Sequence, residues 1–165
     1  MSKFTDELLA AAAAEVGVQE IGQSNRGPRV DIYQRSTGWS MSDWGSWCAA
    51  FACFVIQQAL IKSGTKETAH FKRPMTARAF DFEKWSLAQD GSTSTRKPPS
   101  GDIIAADVVI FTFSHIGFAN GRPNGMGMFP TYEGNTNAKG SRTGGMVCEG
   151  SRHISEVRSR IRFTI

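Results

Sequence analysis

One cysteine stands where a loop rich in glycine and tryptophan turns into a strongly apolar segment. It is Cys48, in the stretch "DWGSWCAAFACFVIQQAL". Ser46 is a suitable N-cap residue, so we expect Cys48 in the first turn of a helix. Free backbone N–H groups at a helix start stabilise a thiolate, and they can also bind the oxyanion formed when a carbonyl is attacked. The position therefore suits a nucleophile, although an inert, buried cysteine is equally compatible with this feature.

A thiolate nucleophile needs a base, and the chain contains three histidines. His70 lies in the polar stretch "TAHFKRP" and His153 in the basic stretch "GSRHISEV", so both are predicted to be surface residues. His115 opens "HIGFANG", a run typical of a strand, which can hold the ring while one edge stays accessible. Cys48 and His115 are therefore the predicted nucleophile and base.

A third group should orient the imidazole ring. The stretch "YEGNTN" contains Glu133 and Asn135. Residues two apart on a strand face the same side, so both could face His115. A carboxylate or amide that accepts from the ring N–H fixes its tautomer and supports the imidazolium. The alternative is that this stretch is only a polar turn.

Further residues are candidates for contact with a substrate. Trp44 and Trp47 flank the cysteine, and Asn25 lies in "SNRGP". Tryptophans in loops also cap cores, and Asn25 suits a simple turn. The net charge of +4 is compatible with an anionic partner but does not identify one. Five arginines give the C-terminal third a basic bias and are predicted to lie mostly on the solvated face of an edge strand: Arg142, Arg152, Arg158, Arg160 and Arg162.

The other two cysteines are predicted to be structural. Cys53 lies five residues after Cys48, about 140° around a helix, and should be in the core. Cys148 lies in "GGMVCEG" and is also expected to be structural, with a Cys53–Cys148 disulfide as an option in an oxidising compartment. The cysteines lack the close pairing of zinc sites, and we expect neither a metal nor a cofactor.

The pattern of elements predicts an α+β fold. Helices are expected over residues 5–16, from Pro28 onwards, over residues 49–63 and over residues 76–89. The third of these is apolar on all sides in its first two turns, so it should be central. Residues 90–102 are polar and are expected to form a loop. After Ser100, short β-type runs alternate with turns, which predicts one domain over residues 1–165, with helices packed on one side of a small antiparallel sheet.

Several stretches together resemble a known family. They are "EVGVQEIGQSNRGPRVDIY", "WCAAFACFVI", "ADVVIF", "HIGFANG" and "YEGNTN", in this order within residues 15–145. They resemble CHAP domains, the cysteine, histidine-dependent amidohydrolases/peptidases of the papain-like NlpC/P60 group. The resemblance implies a papain-like fold, with Cys48 as nucleophile, His115 as base, and Glu133 and Asn135 as the supporting residues. A second stretch, "GDIIA", before "ADVVIF" and the long loop "NGRPNGMGMFP" depart from the family pattern.

The resemblance also implies a substrate. The family cleaves peptidoglycan, at the amide joining muramic acid to the stem peptide or at a peptide bond within or between stems. Two alternatives remain: a papain-like amidase or protease acting on another substrate, and a non-catalytic wall-binding relative. We expect a monomer that does not bind nucleic acid, because the basic residues are interleaved with acidic ones.

The N-terminal segment bears on how the protein would reach a wall. It lacks a basic region followed by a long apolar stretch, so no signal peptide is predicted. No stretch approaches the roughly 20 apolar residues that span a bilayer, so membrane insertion is not expected. We therefore expect synthesis in the cytoplasm and action in the periplasm or wall. This fits a phage endolysin released through holin pores, and equally a type VI secretion effector paired with an immunity protein.

Overall fold

The computed structural model describes residues 2–165. Its helices are α1 (Lys3–Ala13), α2 (Pro28–Ser36), α3 (Cys48–Ser63) and α4 (Asp81–Leu87). Its strands are β1 (Ser92–Arg96), β2 (Val108–Phe111), β3 (His115–Ala119), β4 (Met128–Thr136), β5 (Met146–His153) and β6 (Val157–Phe163). None of the helices within residues 2–165 is long and apolar enough to cross a membrane.

The six strands form one antiparallel sheet in the order β1-β6-β2-β3-β4-β5. With four helices, this confirms the predicted α+β class. The loop "NGRPNGMG" joins the neighbouring strands β3 and β4, as its turn residues predict.

Helix α3 is the central element. Its first nine residues are all buried, which matches the absence of a polar face in this segment. It ends at Gly64, which adopts the left-handed conformation with φ 75°. The predicted cap at Ser46 is wrong, because the helix begins at Cys48 and its N-cap is Trp47. Ser46 therefore lies one residue outside the cap.

Two other helices differ from prediction at their ends. Helix α1 begins at Lys3 rather than at residue 5, because the Ser2 side chain caps it and accepts from the Thr5 backbone N–H. Helix α4 is shorter than the predicted 76–89. The Thr76 hydroxyl donates to Asp81 and accepts from the Arg78 backbone N–H, which offers this segment an alternative to helical bonding.

The polar segment 90–102 is not only a loop, as predicted, because it contains β1. This strand pairs along its whole length with β6, from Ser92 opposite Phe163 to Arg96 opposite Ser159. A serine- and threonine-rich segment carries no alternating apolar pattern, so its pairing with a strand some 65 residues later is not visible in the sequence.

The prediction that several arginines lie on the solvated face of an edge strand fails for the three on β6, because the neighbouring strand β1 was not predicted. Strand β6 lies between β1 and β2, so it is not an edge strand. Its arginines form ion pairs instead of a solvated face: Arg158 with Glu83, Arg160 with Asp102, and Arg162 with Asp102 and Asp107.

The sheet has an apolar cluster on each face. The main core contains α1, α2 and α3 packed on one face, where β3 contributes Ile116 and Phe118. The smaller cluster on the other face includes Phe111, Ala119 and Phe129. Since side chains alternate along a strand, His115 projects to the face of the smaller cluster.

Helix α3 approaches β4 closely at a glycine. A Cβ atom on Gly134 would lie 2.6 Å from both Cβ and Cγ of Phe51. Only a residue without a side chain fits here, so Gly134 sets the distance between the start of α3 and the sheet.

Gly134→Ala is expected to destabilise the fold by about 1–3 kcal/mol, because an overpacked contact forces the helix or the strand to shift. Urea denaturation measures the change. Gly101→Ala is the matched control, because a Cβ there meets nothing within 4 Å. Equal stability of both variants would show that the Phe51 contact does not hold the helix to the sheet.

Candidate active site

The start of α3 carries Cys48 as its first helical residue. No side chain caps this helix, and its first turn is closed by the Phe51 N–H donating to the Trp47 carbonyl at 2.8 Å. Within residues 2–165, the N–H groups of Cys48, Ala49 and Ala50 have no acceptor. Cys48 is buried, with 6% of the residue exposed. The site thus combines a thiol with free donors at the positive end of a helix.

His115 lies at the start of β3, just before the first β3–β4 pair, Gly117 opposite Glu133. Its ring is fully buried and is stacked with the rings of Phe111 and Phe113, at centroid distances of 6.0 and 5.9 Å. Nε2 lies 2.9 Å from Oε2 of Glu133. This contact assigns the proton to Nε2 and leaves Nδ1 as the free basic nitrogen of the neutral ring.

Cys48 is the second polar neighbour of His115. Burial alone would lower the pKa of His115, but interactions with the Cys48 sulfur and the Glu133 carboxylate outweigh it and raise the pKa to about 9. Nδ1 has no hydrogen-bond partner within residues 2–165, so the sulfur lies close to the ring without completing a hydrogen bond to it. Such contacts are often loose before substrate binds.

Glu133 is a buried carboxylate with a full set of partners. Oε1 accepts from the Thr131 hydroxyl at 2.6 Å and from Nε of Arg152 at 2.8 Å. Oε2 accepts from Nη2 of Arg152 at 2.6 Å and from His115. Burial would raise the pKa of Glu133, but the bonds from His115 and Arg152 prevail and lower it to about 2. The carboxylate is therefore charged and fixed in one orientation.

Gly117 makes room for this carboxylate. A Cβ on Gly117 would lie 2.6 Å from Cγ of Glu133 and 2.9 Å from the Tyr132 carbonyl oxygen. The Glu133 side chain thus lies across the bare backbone of β3 to reach His115. The glycine two residues after the histidine is a functional signal that the sequence analysis did not use.

Asn135 does not bond to His115. A register shift follows Glu133 in the β4–β5 pairing, and Asn135 has a left-handed φ of 57°, so the predicted alternation breaks here. Its side chain is buried, and its Nδ2 has no partner within residues 2–165. Of the two predicted orienting residues, Glu133 alone holds the ring.

Asn135 instead lines a polar cavity of about 250 Å³. Asn25 and Ser46 also line this cavity. Ser46 lies two residues before Cys48, and Asn135 lies two residues after Glu133, so the cavity is next to the candidate site. Asn25 has a left-handed φ of 56°. Asn25 thus lies in the same cavity as Asn135, and its contact with a substrate stays a prediction. The other lining residues are Glu20, Gln23 and Thr143.

The tryptophans do not line this cavity. Trp47 is 0% exposed, packs on Tyr33 and donates from Nε1 to Glu20 at 2.9 Å, so the prediction that it contacts substrate is wrong. Trp44 is half-buried, donates to the Trp39 carbonyl and stacks under Arg26. Trp47 is therefore part of the core, which was the alternative prediction for this residue.

All three cysteines are free. Cys53 is buried in the core as predicted, and its thiol donates to the Thr76 carbonyl at 3.4 Å. Burial raises the pKa of Cys53 to about 12. Cys148 is buried on β5 opposite Glu133, and burial followed by the Glu133 charge raises its pKa. Among the three thiols, only that of Cys48 lies beside a histidine. In residues 2–165, no group of three or more His, Cys, Asp or Glu side chains is placed to hold a metal ion.

The fold is similar to that of a protein of known structure. The chain is similar to the crystal structure of a wild-type endolysin, LysIME-EF1, with a TM-score of 0.61 and 20% sequence identity. The alignment covers 99% of this chain and 65% of the endolysin chain, so this chain spans about two thirds of that length. No model of a protein family matches the sequence, and no curated protein matches it either.

Glu133→Gln is expected to lower the pKa of His115 from about 9, because the neutral amide no longer favours the imidazolium. NMR titration of the histidine ring protons measures this. Since the folded pKa lies above the ordinary 6.5, protonated His115 stabilises the fold fully below about pH 6.5, and this contribution is lost as the pH rises through 9. The variant should lose less stability over this interval. Glu149→Gln is the control, because Glu149 is an exposed carboxylate on β5 that pairs with neither His115 nor Arg152. An unchanged His115 pKa in Glu133→Gln contradicts the assignment.

Gly117→Ala should push the Glu133 side chain away from His115 and so lower the His115 pKa without removing any polar group. The same titration detects it, and a slower reaction of Cys48 with iodoacetamide should accompany it. Gly125→Ala, in the loop joining the same two strands, is the control because a Cβ there meets nothing within 4 Å. If both variants keep the wild-type titration, the glycine is not what admits the carboxylate.

Proposed function

We propose that the protein is a peptidoglycan hydrolase that cleaves a wall amide through a thiol mechanism. The observation that carries the proposal is that a buried His115 is hydrogen-bonded to a buried Glu133 and also interacts with the thiol of Cys48, which opens a helix with free backbone donors. Such a chain of nucleophile, base and orienting carboxylate is what acyl transfer from an amide requires.

The reaction would run in two steps. The Cys48 thiolate attacks the carbonyl carbon, and the first-turn N–H groups, including that of Cys48, bind the resulting oxyanion. His115 protonates the leaving amine as the C–N bond breaks and a thioester forms. His115 then takes a proton from water, which attacks the thioester and releases the acid and the thiol. Glu133 holds the ring in the required tautomer throughout.

Asn135 has a different role in this scheme from the one expected. Because Glu133 already occupies Nε2, Asn135 is free to face the substrate from the cavity that it shares with Asn25 and Ser46. We propose that this cavity receives the polar peptide portion next to the scissile amide. No residue in the scheme requires a metal or a cofactor.

The choice of wall as substrate rests on analogy. The family resemblance of the sequence to CHAP domains and the fold similarity to an endolysin both favour peptidoglycan. An N-acetylmuramoyl-L-alanine amidase and a stem or cross-bridge endopeptidase fit the site equally, since both attack an amide carbonyl. An endolysin gene would have holin neighbours, and an effector gene would stand beside one for an immunity protein.

Incubation with purified sacculi tests the function. The wild type should release soluble muropeptides, whose masses identify the bond that is cut. Cys48→Ala should lower the rate by on the order of a thousandfold or more, as loss of a nucleophile does in other hydrolases, and should still bind sacculi. Cys53→Ser, on the same helix, controls for the loss of a thiol.

The outcomes separate the alternatives. Equal release by wild type and Cys48→Ala overturns the mechanism. No release from sacculi, with Cys48-dependent cleavage of a model peptide, indicates a papain-like enzyme with another substrate. Binding without any cleavage indicates a wall-binding relative.

A further inference from the structure

Arg152 is a charged side chain where the sequence predicts a solvated one. It lies on the edge strand β5, yet it is only 7% exposed. A buried guanidinium needs compensating partners, because leaving water is costly for a charge. Its partners are therefore informative about its role.

The Arg152 guanidinium binds the Glu133 carboxylate that orients His115. Nε donates to Oε1 at 2.8 Å and Nη2 donates to Oε2 at 2.6 Å, so the two side chains form a bidentate ion pair. Together with Thr131 and His115, it saturates both carboxylate oxygens. Glu133 therefore cannot rotate without losing at least one charge-assisted bond.

The guanidinium is itself held in place. Its central carbon lies 5.2 Å from the centroid of the Phe111 ring and 5.1 Å from that of Phe113, the two rings that also stack with His115. Nη1 of Arg152 lies 3.7 Å from a carboxylate oxygen of Glu156, which is four residues later in the chain. Arginine and imidazole thus share one aromatic platform and one carboxylate.

Strand β5 brings Arg152 to the face of the sheet on which Glu133 lies. In the β4–β5 pairing, Cys148 lies opposite Glu133, Gly150 opposite Thr131, and Arg152 opposite Phe129. Because residues two apart on a strand face the same side, the Arg152 side chain can extend back along the strand, past Gly150, to the carboxylate.

We propose that Arg152 is a positioning residue of the active site, which keeps the Glu133 carboxylate aimed at His115 and thereby supports the His115 imidazolium beside Cys48. The proposal rests on the proposed function for its meaning in catalysis. It assigns Arg152 no contact with substrate. A lysine cannot replace it fully, because an ammonium is a point charge without the planar fork.

The test compares Arg152→Met with Arg160→Met. Arg160 is equally buried at 7% and pairs with Asp102 through Nε and Nη2 at 2.9 and 2.7 Å, away from His115. Both variants should lose stability. Only Arg152→Met should lower the His115 pKa in an NMR titration, because the released Glu133 carboxylate turns away from the ring; loss of the arginine charge alone would instead raise it. The same displacement should slow the alkylation of Cys48 by iodoacetamide at pH 7.5, by on the order of tenfold for each unit that the protonation equilibrium of His115 moves.

Arg152→Lys covers the case in which the methionine variant does not fold. It keeps the charge but loses one prong, so its His115 pKa and alkylation rate should lie between those of wild type and Arg152→Met. In a sacculus assay, the acid limb of the pH–activity profile should move to higher pH in Arg152→Lys, because Glu133 protonates more readily.

The outcomes distinguish this proposal from the function on which it rests. A His115 pKa that stays at the wild-type value or rises in the folded Arg152 variants overturns the positioning role, whatever the activity. Equal effects of Arg152→Met and Arg160→Met also overturn it, because they indicate a structural role alone. A lowered His115 pKa and slower alkylation in a protein that does not cut sacculi support the positioning role and refute the wall substrate.

Discussion

The geometry of this site depends on the buried, negatively charged carboxylate of Glu133. Glu133 is almost completely buried, and its ionised form persists because four donors converge on it. This arrangement has three further requirements: a glycine at position 117, the aromatic rings of Phe111 and Phe113, and an arginine from the edge strand. Satisfying one buried carboxylate therefore fixes parts of β2, β3, β4 and β5 relative to one another.

Packing of helix α3 on the sheet sets the position of Cys48. The first two turns of helix α3 are apolar on every side, so this part is central, and Gly134 lets Phe51 contact the sheet. The start of the helix carries no side-chain cap, and its free N–H groups face the same region as the cysteine. Hydrophobic burial thus sets the position of the sulfur, whereas hydrogen bonding sets the position of the imidazole. The two meet only because the distance between helix and sheet is fixed.

Sequence reasoning found the parts whose signals are local. The break from loop to apolar helix indicated Cys48, and the start of a β-type run indicated His115. The sequence could not show which of Glu133 and Asn135 orients His115. Alternation along a strand assumes a regular register, and no feature of the sequence indicates the register shift after Glu133. Arg152 was assigned to a solvated surface because its partner lies on another strand. Trp47 was misassigned because an aromatic residue beside a nucleophile looks the same whether it faces a groove or the core. The strand β1 was missed because its polar residues owe their conformation to pairing with β6.

The small exposed fraction of Cys48 limits which molecules can reach it. Only 6% of the residue is exposed, so the approach to it is narrow. Exchange between a thiol and a disulfide depends on access, so a bulky disulfide such as oxidised glutathione is hindered there. Hydrogen peroxide, an oxidant of cysteine, is far smaller and is hindered less. The fold therefore discriminates between oxidants of Cys48 by their size.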